Sequence, residues 1–193
     1  MIRCSFVPLA FIFSSFLTPS AFAQTKPEIA PSGLVLRNQV KLTLAGAREV
    51  IVGAEAKAAA MGLKMNIAVV DDGGHLLTFD RMDGARPASG YTAITKATTA
   101  ATFRQETGPI PKGANPPDPL LNLSLQNAAS ASGGKITTLY GGVPILIDGQ
   151  VIGGVGVGGG SGEQDTEVAK AGIAQFLAAL QHKNEVNESK PGR

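Results

Sequence analysis

The chain has no tryptophan, a single cysteine and two histidines. The cysteine, Cys4, sits at the extreme N-terminus, so a disulfide framework, a CxxC redox centre and a multi-thiolate zinc site are all excluded. With only His75 and His182, a three-histidine zinc centre is excluded as well. Charge of one sign is also missing. There are 17 Lys and Arg against 15 Asp and Glu, with no basic patch dense enough to neutralise a row of phosphates, so nucleic acid is not an expected partner. Long apolar runs are scarce. Phe6–Leu17 is too short for a spanning helix of about 20 residues. It follows Arg3 and precedes the small-x-small site Ala21-Phe22-Ala23. Residues 1–23 therefore read as a secretory signal peptide, which predicts a periplasmic or secreted protein with no integral membrane segment after cleavage. Cleavage removes Cys4 and Phe6, Phe11, Phe13, Phe16 and Phe22, leaving few aromatic side chains.

What remains is organised around Ile67–Ala85, IAVVDDGGHLLTFDRMDGA. An apolar, β-branched run ends in Asp71-Asp72-Gly73-Gly74, where glycine supplies positive φ and aspartate bonds its own backbone. His75–Phe79 follows, giving strand, tight turn, strand. Residues 24–41 read as a polar tether in which Leu34-Val35-Leu36 could be extended, 42–183 as one domain, and 184–193 as a polar tail. Within the domain, Thr43 N-caps a helix that Gly62 ends. A second helix spans Ser89–Thr107, with Ile94, Ala97 and Ala101 as its apolar face. A Pro- and Gly-rich loop runs from Gly108 to Pro119, and Asp118-Pro119 opens a short third helix to Ala129. Ile136–Tyr140, Val143–Ile147 and Gln150–Val157 read as strands, with Asp148-Gly149 as a two-residue hairpin turn and Pro144 marking an edge strand. Helical spacing returns over Glu163–His182. The hairpins force antiparallel pairing. The expected class is α/β in the α+β sense: a five-stranded, mainly antiparallel sheet with about four helices.

Gly154–Gly159 matches G-x-G-x-x-G, but no returning parallel strand or strand-end acid follows. The acids Glu163 and Asp165 occupy the helix start where a phosphate would sit. It reads as a Gly-rich strand closely approached by another backbone. No G-x-S-x-G nucleophile elbow occurs. Asp71, Asp72, Asp80 and Asp83 read first as turn and solvation residues, and a carboxylate metal site is the alternative. His75 opens a strand beside a turn, and is the histidine placed for ligand or proton-transfer duty. His182, in a last helical turn, is explained by the helix dipole.

The motifs VVDDGGHLLTFDRMDGA, ITKATTAATF, GGVPILIDGQVIGGVGVGG and EQDTEVAKAG together resemble the GlcG/HbpS-like family, which includes the C-terminal domain of PduO-type corrinoid adenosyltransferases. The resemblance covers roughly Leu42–Leu180. It implies a profilin-like α/β sandwich, homo-oligomers, and haem or iron as the ligand of some members. It also implies haem degradation in some members and a sensor-protein partner for an exported one. Signature positions align with Asp71, Gly73, Gly74, Arg81, Met82, Asp83, Lys96, Gly142, Gly149 and Gly154. Iron-ligand candidates are His75, His182, Met61, Met65, Met82, Tyr91 and Tyr140. Met61 and Met65 read as core, which leaves His75, Met82 and Tyr91, with His75 as the metal ligand. Arg81, Lys96 or Arg104 would pair with propionates, or Arg81 and Lys96 with Asp80 and Asp83 instead. The expected function is an exported binder of haem or a similar small planar ligand, with a sensory or accessory role. The alternatives are an enzyme acting on haem or a small organic acid, built on Asp71, His75, Asp83, Arg81 and Lys96, and an oligomeric interaction module.

Overall fold

The structure is a computed structural model and describes residues 39–188. The signal-peptide reading of 1–23, nearly all of the tether and residues 189–193 lie outside the described residues. The elements run α1 (Leu44–Ala60), β1 (Asn66–Asp71), β2 (Leu76–Arg81), α2 (Ala88–Phe103), α3 (Pro119–Ala131), β3 (Gly142–Ile147), β4 (Gln150–Gly158) and α4 (Gly162–Glu188). Among the described residues no helix is long and apolar enough to cross a membrane.

The strands form one antiparallel sheet in the order β2-β1-β4-β3. It has four strands, not the five read from the sequence. The missing one is Ile136–Tyr140, and threonines explain its loss. The backbone N–H of Thr137 donates to Thr99 Oγ1 at 3.0 Å. The same part of α2 flanks the residues just before Ile136, with the Thr99 and Thr95 hydroxyl oxygens 3.3 Å from the carbonyl oxygens of Lys135 and Gly134. The segment thus gives its Thr137 N–H to a side chain of α2 instead of a neighbouring strand.

Both hairpins form as read. Asp148 and Gly149 take φ of +49° and +74°, the positive values that a two-residue hairpin turn demands. Pro144 lies on edge strand β3, where its missing N–H costs no ladder bond.

Two helices cover one face of the sheet and one covers the other. The α1–α4 side carries the larger core, including Val50, Ile51, Ile67, Val69, Ile145, Val155, Val157 and Phe176. Thr43 Oγ1 accepts the Gly46 N–H at 3.1 Å and starts α1 as expected. The α2 side is built from Ala68, Val70, Ala93, Ala97 and Ala101. It is this thin because β4 presents glycines there. A Cβ on Gly154 or Gly156 would run into the carbonyls of Ala97 and Ala93. The Gly-rich strand is therefore the seat of a closely approaching helix, not a cofactor loop.

Helix ends differ from the spacing. α2 stops at Phe103, short of Thr107, because Arg104 adopts the left-handed conformation (φ +57°). Its entry is Pro87, while Ser89 is buried and accepts from Arg86 Nε at 2.9 Å. α3 extends two residues beyond Ala129, and α4 continues past His182 to Glu188.

Candidate functional site

The β1–β2 turn is built on one carboxylate. Asp71 Oδ1 accepts the N–H groups of Gly73 and His75 at 2.9 and 2.8 Å. The same oxygen lies 3.3 Å from His75 Nδ1. Partial burial pushes the Asp71 carboxyl up, but the two N–H donors and the imidazole charge outweigh it and hold the pKa below its usual value. The turn is fastened to α2 by Thr98, whose hydroxyl donates to the Gly74 carbonyl at 3.2 Å. Asp72 pairs with Lys41 at 2.6 Å, so the last tether residues are anchored here.

This arrangement fixes an imidazole and leaves it bare. The His75 side chain is 83% exposed. Its Nδ1 faces a carboxylate, and Nε2 points away with no hydrogen-bond partner among the described residues. Metal-ligating imidazoles commonly have their second nitrogen set against a carboxylate in this way, which favours one tautomer and ring orientation. Leu76, the next residue, is also exposed.

The other candidates are not gathered around His75. Arg81 closes β2 at its far end, six residues along the strand and so roughly 20 Å away. Met82 lies beyond it, and its Sδ accepts the Met65 N–H at 3.4 Å. The expected neighbourhood of His75 and Met82 therefore does not exist within a protomer. Tyr91 is highly exposed on the first turns of α2. Lys96 is the clearest correction. It is buried, with Nζ 2.7 Å from Asp165 Oδ2 and 2.8 Å from the Val157 carbonyl oxygen. It serves neither a propionate nor Asp80 or Asp83. The acid–base cluster of Asp71, His75, Asp83, Arg81 and Lys96 is thus dispersed. Met65 is fully buried and Met61 packs against the core, as read.

A separate groove of about 710 Å³ lies at the Met82 end, between the exposed face of α1 and the end of β2. Val52, Ala56, Leu63 and Met82 form its apolar wall, and Glu55, Lys64 and Asp83 its polar rim. Burial, with the nearby Asp80 charge, raises the Glu55 pKa. Neither Glu55 nor Lys64 belongs to a motif that marks it in the sequence. The one available signal was Val52, an aliphatic residue off the buried stripe of α1. Among the described residues no three His, Cys, Asp or Glu side chains converge on a common point that could hold a bare cation.

Known proteins show where this geometry belongs. The family model described as haem degrading protein HbpS-like matches residues 42–174. Protein GlcG of Escherichia coli K12 is 40% identical over 122 residues, which is 63% of this chain and 84% of GlcG. The solved structure of a double mutant of Streptomyces reticuli HbpS is 32% identical, with a TM-score of 0.59, covering 77% of this chain and 95% of that one. A PduOC complex with haem is 26% identical, with a TM-score of 0.57, covering 70% and 95%. With its model matched across most of the described domain, the chain belongs to the HbpS-like family.

Proposed function

We propose that this chain is an exported haem-binding protein and that His75 is its iron ligand. The observation that carries the proposal is the Asp71–His75 pair, an oriented and solvent-facing imidazole with a free Nε2. The donor set fits the group. A bare cation needs several converging protein ligands, whereas haem iron already has four ring nitrogens and needs one axial side chain from the protein. The haem association of the PduOC neighbour and of the family description supports the same ligand. Export rests on the character of residues 1–23. A sensor-protein partner belongs to the proposal only as what the family resemblance implies for an exported member.

Haem, when bound, would supply the iron and its redox chemistry. The chain's own contribution is to present Nε2 and to set Nδ1 against Asp71. Haemin added to the purified full chain should shift its Soret band with saturation, and His75→Ala should lose the shift. No shift in the wild type removes haem as ligand, and an unchanged titration in His75→Ala removes this residue.

A further inference from the structure

We infer that the groove between the outward face of α1 and the end of β2 binds a small aliphatic primary amine in its ammonium form. The hydrocarbon chain would lie on the apolar wall, and the charged head at Glu55 and Asp80. The groove sits at the end of β2 away from His75, so the inference does not rest on the haem proposal.

The wall is apolar and uncovered. Val52 is 55% exposed and lies off the buried stripe of Val50, Ile51 and Ala54. With Ala56, Leu63 and Met82 it lines a recess of about 710 Å³, which is within the range of small-molecule sites. A short hydrocarbon chain seated there leaves water, and the alanine part of the wall has no rotamer freedom to lose.

The carboxylates select the head group. In the β1–β2 register Asp80 stands opposite Ile67, a member of the core beneath α1, so Asp80 is on the α1 side of the sheet. There it acts on Glu55, whose pKa is raised by burial and then by the Asp80 charge. Neither acid has a salt-bridge partner among the described residues. Lys64, the basic residue lining the groove, instead holds its Nζ over Gly84, the residue after Asp83. A cation at Glu55 and Asp80 would relieve their repulsion and gain charge-assisted hydrogen bonds.

The same surroundings exclude other charged ligands. A divalent metal needs several convergent oxygens, and no three acidic or histidine side chains gather to hold one among the described residues. A quaternary ammonium has no N–H to give a carboxylate and is recognised by aromatic faces, but no aromatic residue lines this groove. An anionic amphiphile would bring its charge to two acids of the same sign. An ammonium with N–H donors and an aliphatic chain satisfies both the wall and the head.

Isothermal titration calorimetry of the purified full chain with hexylammonium chloride at pH 7 tests this. Binding should saturate. Under the same conditions 1-hexanol, hexanoate and hexyltrimethylammonium should bind at least tenfold more weakly. Glu55→Gln should weaken hexylammonium about tenfold, the size of one hydrogen bond to a charged group. That variant removes a disfavoured charge, so its thermal melt should be no lower than that of the wild type, and its loss of binding is then not a loss of fold. His75→Ala should bind hexylammonium as the wild type does, which separates this result from that of haemin. No saturation by about 10 mM hexylammonium overturns the inference. Equal affinity for 1-hexanol overturns it too, as does unchanged binding in Glu55→Gln.

Discussion

Lys96 Nζ and Asp165 Oδ2 lie 2.7 Å apart, with both side chains about 95% sealed from water (5% and 4% exposed). The pair joins α2 to the start of α4, and the second Asp165 oxygen accepts the Gly160 N–H at 2.9 Å. Replacing one partner strands a buried charge, which costs about 3–5 kcal/mol. Lys96→Met should therefore lower urea-unfolding stability by that order, and Lys96→Met with Asp165→Leu should recover much of it. A loss in the double variant equal to the sum of the losses in Lys96→Met and Asp165→Leu alone would show that the pair is not coupled.

Asp71 and His75 give a ligand-binding prediction. If His75 binds haem iron, Asp71→Asn leaves the imidazole in place but weakens the grip on Nδ1. Removing an outer partner of this type costs about 10–100-fold in metal affinity. Haemin titration of the two proteins should show that loss, with the Soret position changed less than in His75→Ala.

The same carboxylate predicts an acid dependence. Its folded pKa is lowered from 3.8, so its contribution to stability is present above the unfolded value and is lost as pH falls through the folded one. The stability difference between wild type and Asp71→Asn should shrink as pH falls below about 4. A difference that grows in acid would contradict this sign.

Glu55 has the opposite sign. Burial and the Asp80 charge raise its folded pKa from 4.5, so the charged form is disfavoured in the folded state. Glu55→Gln should stabilise the protein at pH 7, and the gain should vanish as pH falls below the unfolded value. Thermal melts at pH 7 and pH 3.5 would compare the two.

Gly156 carries a packing prediction. A Cβ there overlaps the Ala93 carbonyl and the Ala97 nitrogen, both of them backbone. Gly156→Ala should cost about 1–3 kcal/mol by displacing α2. An unchanged denaturation midpoint would mean that the helix has room to move.

Elements whose signals are local could be read directly. Asp148-Gly149 and the Asp71–Gly74 turn each determine a hairpin within a few residues. The Thr43 cap and the acids opening α4 mark helix starts in the same way. Ile136–Tyr140 misled because its alternation and β-branched residues promise a strand, while its actual partners are hydroxyls some 38 residues earlier. Lys96 misled for a related reason. A lysine on a helix reads as solvent-facing until its distant carboxylate, Asp165, is known. The candidate residues are separated by the length of β2. His75 and Arg81 are neighbours in sequence, yet an extended strand carries them to opposite ends of the sheet.

The alanine–glycine contact between α2 and β4 has an evolutionary corollary. Where a layer consists of backbone and methyl groups, no side chain can shrink to accommodate a neighbour that grows. The Val-, Ile- and Phe-lined layer beneath α1 and α4 allows compensating exchanges of volume. A randomised library should accordingly yield many functional combinations at Val50, Ile51, Ile145 and Val155, and almost exclusively the parental letters at Ala93, Ala97, Gly154 and Gly156. Lineages of this protein would then diversify through one half of the interior while the other stays frozen.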